Sequence, residues 1–279
     1  MIEFLNNVSP ILLAFIATLF TYSVTAIGAA LVFFFKKINK NVMDAMLGFA
    51  AGVMIAASYF SLLSPARDMA ESLNMNVTLV LFISFFSGGL LLYIGDKLFN
   101  LFDKKLSKKT NKENKNNSFK RCLMLITSIT LHNIPEGLAV GVAFGSIIYG
   151  LDGATLSSAL LLALGIGLQN FPEGTAVSVP LRREGLSRKK AFFYGQLSGI
   201  VEPISGVLGA ILVLKVRLLL PYLLSFAAGA MIYVVVQELI PESQTNKRKE
   251  LMALFTLIGF SVMMILDIAP SLTAITEGA

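Results

Sequence analysis

Apolar residues run along the chain in long unbroken blocks, not in the three-to-four-residue rhythm of a helix with one wet face. Eight blocks, at about 10–35, 42–64, 77–96, 122–145, 155–180, 190–213, 221–241 and 251–269, reach or approach the roughly 20 residues that a membrane-crossing helix needs. In hydrocarbon every backbone amide must find its partner inside the segment, so blocks of this length predict helices. The expected fold is all-α, a polytopic membrane protein with eight transmembrane helices in a single domain over 1–279. One tract breaks the pattern: residues 97–121, ending in "LFDKKLSKKTNKENKNNSFKR", are rich in Lys and Asn without apolar periodicity, and predict a basic flexible cytoplasmic loop.

Composition agrees, with 55% hydrophobic residues, 14% charged and a mean hydropathy of +0.74. Charge then sets orientation. All but three of the 23 basic residues (Arg67, Lys215 and Arg217) fall in alternate loops on one side, and short cytoplasmic loops carry the excess of Lys and Arg. Both termini are therefore expected outside, and the net charge of +6 is a topology signal that calls for no nucleic acid. A bacterial inner (plasma) membrane is the expected setting. The start, "MIEFLNN", lacks the basic region of a cleaved secretory signal, and the single Cys122 forms no intramolecular disulfide.

Against this apolar background the ionisable residues inside spans stand out, since each costs on the order of 2.5–3.5 kcal/mol at a helix centre on insertion scales. The fourth span contains "LHNIPEGLAV" (131–140), with the only histidine, His132, four residues before Glu136. The fifth contains "LQNFPEGTAV" (168–177), with Gln169 four residues before Glu173. That spacing puts each pair on one helical face, and the spans run antiparallel, so the two faces can meet. His132 lies about ten residues into its span, ~15 Å deep at 1.5 Å per residue. An imidazole, two carboxylates and an amide oxygen suit a divalent transition ion, and two carboxylates balance its charge. Asn133 and Asn170 line the adjoining space, while Pro135 and Pro172 leave the carbonyls of Leu131 and Leu168 without their usual amide partner, a break expected to support a pathway. Glu202, in "GIVEPISG" of the sixth span, joins the cluster in this reading, and Glu238 sits near the cytoplasmic end of the seventh. A kinked helix whose polar residue only bonds a neighbour explains one segment; it explains two matching segments poorly.

A second repeat spans the chain. "FAAGVMI" (49–55) returns as "FAAGAMI" (226–232), which sets Ser61 opposite Glu238 in register. The second and seventh spans run in opposite directions, as in an inverted-topology repeat of the transporter kind.

Taken together, "HNIPEG", "QNFPEGTAVSVPLRREG" and the Glu-Pro of the sixth span resemble the ZIP (Zrt/Irt-like protein) family of divalent metal transporters, and the Gln-Asn form is most similar to its bacterial GufA-type branch. The resemblance implies a 3+2+3 arrangement of helices related by inverted repeats, with metal between the fourth and fifth and movement toward the cytoplasm. By motif position it implies a first metal site from His132, Glu136, Gln169 and Glu173, and a second from Asn133, Asn170 and Glu202 with Glu136 and Glu173 shared. It further implies Met54 and Ser61 beside the pathway, and Asp68 and Asp267 as carboxylates at the entrance. Many members carry histidine where Gln169 stands and aspartate where Asn170 stands, so two strong ligands are replaced here.

The cargo expected is Zn²⁺, with Cd²⁺, Fe²⁺ and Mn²⁺ as further substrates, and no cofactor. Expected partners are divalent ions and the lipid bilayer, with a homodimer as the assembly to test. A metal-selective channel could use the same ligands. An intramembrane metalloenzyme is disfavoured: HExxH is absent and one histidine does not make a usual three-ligand catalytic zinc site.

Overall fold

The computed structural model describes residues 8–34, 39–107, 115–149, 154–183 and 185–277. Among these there is no strand, and eight long helices carry the fold: α1 (Pro10–Phe34), α2 (Lys40–Ser72), α3 (Val77–Ser107), α4 (Lys115–Ser146), α5 (Leu156–Arg183), α6 (Arg188–Lys215), α7 (Leu220–Ser243) and α8 (Lys249–Glu277). Seven are long and apolar enough to cross a membrane. The other, α5, is 28 residues long and is the helix that holds Gln169, Asn170 and Glu173. Helices α3 and α4 run on into the basic tract, to Ser107 and from Lys115, so the described part of that tract is helical. Extending a formed helix adds one bond per residue fixed, and Lys is a good helix former.

The closest pairings are α1 with α5, α4 with α6, α2 with α8 and α3 with α7. They fall into two groups of four helices, joined where α5 meets α2 and α4 meets α7. Exchanging α1–α3 with α6–α8, and α4 with α5, maps each pairing onto another, which is the 3+2+3 inverted repeat in contact form.

The symmetry reaches single residues. At the α2–α8 crossing a Cβ on Gly52 would run into the backbone oxygen of Thr256, and one on Gly259 into that of Phe49. At the α3–α7 crossing Gly88 stands in the same way against Phe226, and Gly229 against Phe85. Only glycine permits such approach, which membrane helices use because lipid tails supply no hydrophobic drive between helices. One register shift relates Phe49 to Phe226 and Gly52 to Gly229, and a second relates Phe85 to Thr256 and Gly88 to Gly259. Large apolar residues on the outer faces of α3 and α8, such as Phe82, Phe86, Leu257 and Ile265, remain exposed to face hydrocarbon.

Two helices contain one wide turn each. In α2 it is the π-helical Ser58–Leu63, in α7 Val235–Leu239, and both start at the same place in the repeat. Pro65 and Pro241 follow, and the residue before each proline bonds back five positions: Ser64 N–H to Tyr59 O, and Ile240 N–H to Val235 O. A proline cannot donate the next i→i−4 bond, so the ladder widens there. Such turns recur at functional sites in other proteins. Ser61 and Glu238 lie in them.

Candidate metal site

Of the polar residues predicted from α4, α5 and α6, those whose side chains are described lie close together. Asn133, Glu136, Gln169, Asn170 and Glu202 are wholly buried, and Glu173 nearly so at 6% exposure. Close crossings bring the elements together: a Cβ on Gly137 of α4 would strike the Glu202 carbonyl of α6, and one on Gly174 of α5 would strike the Thr25 carbonyl of α1. The helix exchange that relates the repeats carries one contact onto the other.

Hydrogen bonds then orient each group. Gln169 Nε2 donates to Glu136 Oε1 at 2.7 Å, tying α5 to α4. Asn133 Nδ2 donates to the Ser198 carbonyl at 2.9 Å, at the start of the 3₁₀ turn Ser198–Ile200 that interrupts α6. Asn170 Nδ2 donates to Glu202 Oε2 at 2.9 Å and to the Thr21 carbonyl at 3.2 Å. Thr21 Oγ1 also donates to Glu202 Oε2, and Thr25 Oγ1 stands 3.4 Å from Oε1. Glu136, Glu173 and Glu202 lie within electrostatic reach of one another, and Glu238 within reach of Glu173.

What is left over is the informative part. Among the described residues five buried side-chain atoms have no hydrogen-bond partner: Asn133 Oδ1, Glu136 Oε2, Gln169 Oε1, Asn170 Oδ1 and Glu173 Oε1. All are acceptor oxygens on two adjacent helices. A buried unpaired acceptor costs about 1–3 kcal/mol and buried polar groups are almost always paired, so five together mark a place that accommodates hydrogen-bond donors or a cation. Among the described residues no three His, Cys, Asp or Glu side chains form a metal cluster. The donor set is instead two carboxylates and three amide oxygens, a hard, oxygen-rich set for a divalent ion. The side chain of His132, the predicted imidazole ligand, lies outside the described residues.

The other predicted residues are dispersed. Met54 is buried in α2, at the register position that Met231 holds in α7. Ser61 Oγ donates to Asp267 Oδ1 at 3.1 Å, joining α2 to α8. Asp68 is held by its neighbour Arg67, whose guanidinium lies 2.8 Å from Oδ1. Glu238 is half-buried. The prolines differ from expectation: both sit inside continuous helices, and Pro172 with Leu168 lines an apolar groove of about 810 Å³ between α1, α2, α5 and α8, so it faces that groove and not the polar centre.

Sequence reading passed over Thr21 and Thr25. Their signal is the buried stripe Thr18, Thr21, Thr25 at helical spacing along α1. The shift that carries Gly88 to Gly259 also carries Asp96, whose side chain lies outside the described residues, to Asp267.

Eight membrane-length helices in inverted repeats around a buried cluster of unpaired oxygens define a membrane transporter for cations. The sequence model of the ZIP zinc transporter family matches residues 103–267. The chain is 40% identical to zinc transporter ZIP11 of Xenopus tropicalis, over 95% of this chain and 99% of that protein. It is 35% identical to zinc transporter ZupT of Clostridium perfringens over 93% and 96%, and 31% identical to zinc transporter GufA of Myxococcus xanthus over 91% and 97%. The chain belongs to the ZIP family of zinc transporters, which are not enzymes.

Proposed function

We propose that this protein carries Zn²⁺ across a membrane toward the cytoplasm, binding it between α4 and α5 through Glu136, Glu173, Gln169, Asn133, Asn170 and His132. The observation that carries this reading is the group of five unpaired oxygens around the two carboxylates. Glu136 and Glu173 neutralise the ion. The amide oxygens replace part of its hydration, and His132 adds the nitrogen that favours zinc over magnesium or calcium. Cd²⁺, Fe²⁺ and Mn²⁺ fit the same donors less selectively.

The inverted repeat supports alternating access from two mouths. At one, Asp267 with Ser61, and Asp68 beside Arg67, gather cations from outside. At the other, Glu238 passes them on. The distribution of Lys and Arg supports both termini outside; a reporter fused after Ala279 that is active only in the cytoplasm would overturn that orientation. The deciding experiment is uptake of a panel of divalent ions into proteoliposomes holding the purified protein. Saturable zinc uptake without unitary currents is expected; no uptake of any divalent ion refutes the reading.

A further inference from the structure

Glu202 is buried beside the centre, yet neither of its oxygens is among those left unpaired. Oε2 takes two donors, the Thr21 hydroxyl and the Asn170 amide, which fill both lone-pair directions. Oε1 faces the Thr25 hydroxyl and packs against Gly199, where a Cβ would come within 3.0 Å. Asn170 is bound on its other side as well. Its amide nitrogen reaches two acceptors, Glu202 Oε2 and the Thr21 carbonyl, so chemistry fixes which end points where: nitrogen toward α1 and α6, oxygen toward the unpaired cluster.

From this geometry we infer that the centre holds one ion, not two, and that Glu202 is a positioning residue kept out of ligation by Asn170, Thr21 and Thr25. The inference rests on the metal-binding reading above. A second ion between Asn170 and Glu202 would require the amide to turn over, losing both of its bonds, and Thr21 to release the carboxylate. Glu136 and Glu173 already supply two charges for one dication. The locked Glu202 instead anchors α1 and α6 to α5 and aims Asn170 Oδ1 at the ion.

Asn170 is then the residue that sets the count. An ionised aspartate there has no hydrogen to give: it would place a second carboxylate against Glu202 Oε2 at the present hydrogen-bond distance, an arrangement held either by a shared proton or by a cation, and at saturating zinc the cation takes the proton's place.

The test is zinc counted per chain on purified protein in lipid nanodiscs, over a chelator-buffered series of free zinc, by elemental analysis after dialysis. Wild type should plateau at one ion, Asn170→Asp at two, and Glu202→Gln at one with weakened affinity. In the double variant Asn170→Asp/Glu202→Gln the count should return to one. Two ions on wild type, or a fall from two to one in Glu202→Gln alone, would overturn the inference. So would a folded Asn170→Asp that still binds one. Thr21→Val gives an independent arm: freed of one donor, Glu202 should admit a second ion at high zinc, and a count fixed at one across the whole series would count against the lock. No zinc bound by wild type would instead sink the metal-site reading itself, which keeps the two failures distinct.

Discussion

Glu136→Gln separates charge from shape at the centre. The substitution keeps a side chain of the same length whose amide oxygen can still accept from Gln169 Nε2, now 2.7 Å from Glu136 Oε1, so the α4–α5 tie survives. What goes is one of the two charges facing the ion. At about 4 Å and an effective dielectric constant of about 20, a unit charge pair is worth about 4 kcal/mol, so a dication and a carboxylate are worth about 8 kcal/mol. Desolvating the carboxylate costs several kcal/mol and takes back roughly half, leaving about 4 kcal/mol for the ion to lose. At ~1.4 kcal/mol per tenfold this is close to a thousandfold in affinity. Radiotracer zinc uptake at sub-saturating zinc should therefore fall to about 0.1% of wild type, with membrane expression and thermal stability nearly unchanged. Uptake within tenfold of wild type at normal expression would refute the assignment of Glu136 as a charge-bearing ligand.

Glu173→Ala should likewise abolish zinc uptake, whereas Glu202→Ala should retain a measurable fraction because it removes an anchor and not a ligand; equal loss in both, by the same tracer assay, would contradict that division. Neutralising Asp68 and Asp267 together should raise the zinc concentration for half-maximal uptake with little change in maximal rate, and Asp267→Asn should carry more of the effect, since Arg67 already offsets Asp68; an unchanged concentration dependence would remove both from the entrance. Gly229→Leu should force α3 and α7 apart at the Phe85 carbonyl and cost about 1–3 kcal/mol or more, read as lost monodispersity and a lower unfolding temperature, while Gly95→Leu, with nothing within 4 Å of a Cβ, should not.

The eight helices were legible because a membrane span is a matter of length and hydropathy, both written locally. The polar cluster on α4 and α5 was legible for a different reason. Polar residues at i and i+4 in two greasy helices are costly, and their recurrence in "HNIPEG" and "QNFPEG" marks them as partners. Thr21 and Thr25 escaped notice because a threonine costs little in a membrane helix: Thr18 simply bonds the Ala14 carbonyl, and nothing in the sequence separates it from Thr21, which also reaches Glu202. The wide turns at Ser58 and Val235 are invisible to hydropathy, although Pro65 and Pro241 foreshadow them. Proline was read correctly as a missing donor, but the side to which Pro172 faces depends on α2 and α8, whose approach no local pattern encodes.

Helix α5 separates two very different media. Leu168, Phe171 and Pro172 line the apolar groove, while their sequence neighbours Gln169, Asn170 and Glu173 line the polar centre. A helix with its side chains is about 10–12 Å across, so a doubly charged ion held at the polar centre would sit within one helix diameter of an apolar groove. Insulation here is a single wall thick. An apolar space that close raises the cost of any charge the two carboxylates do not balance, so the placement of α5 would penalise an ion that is not neutralised there.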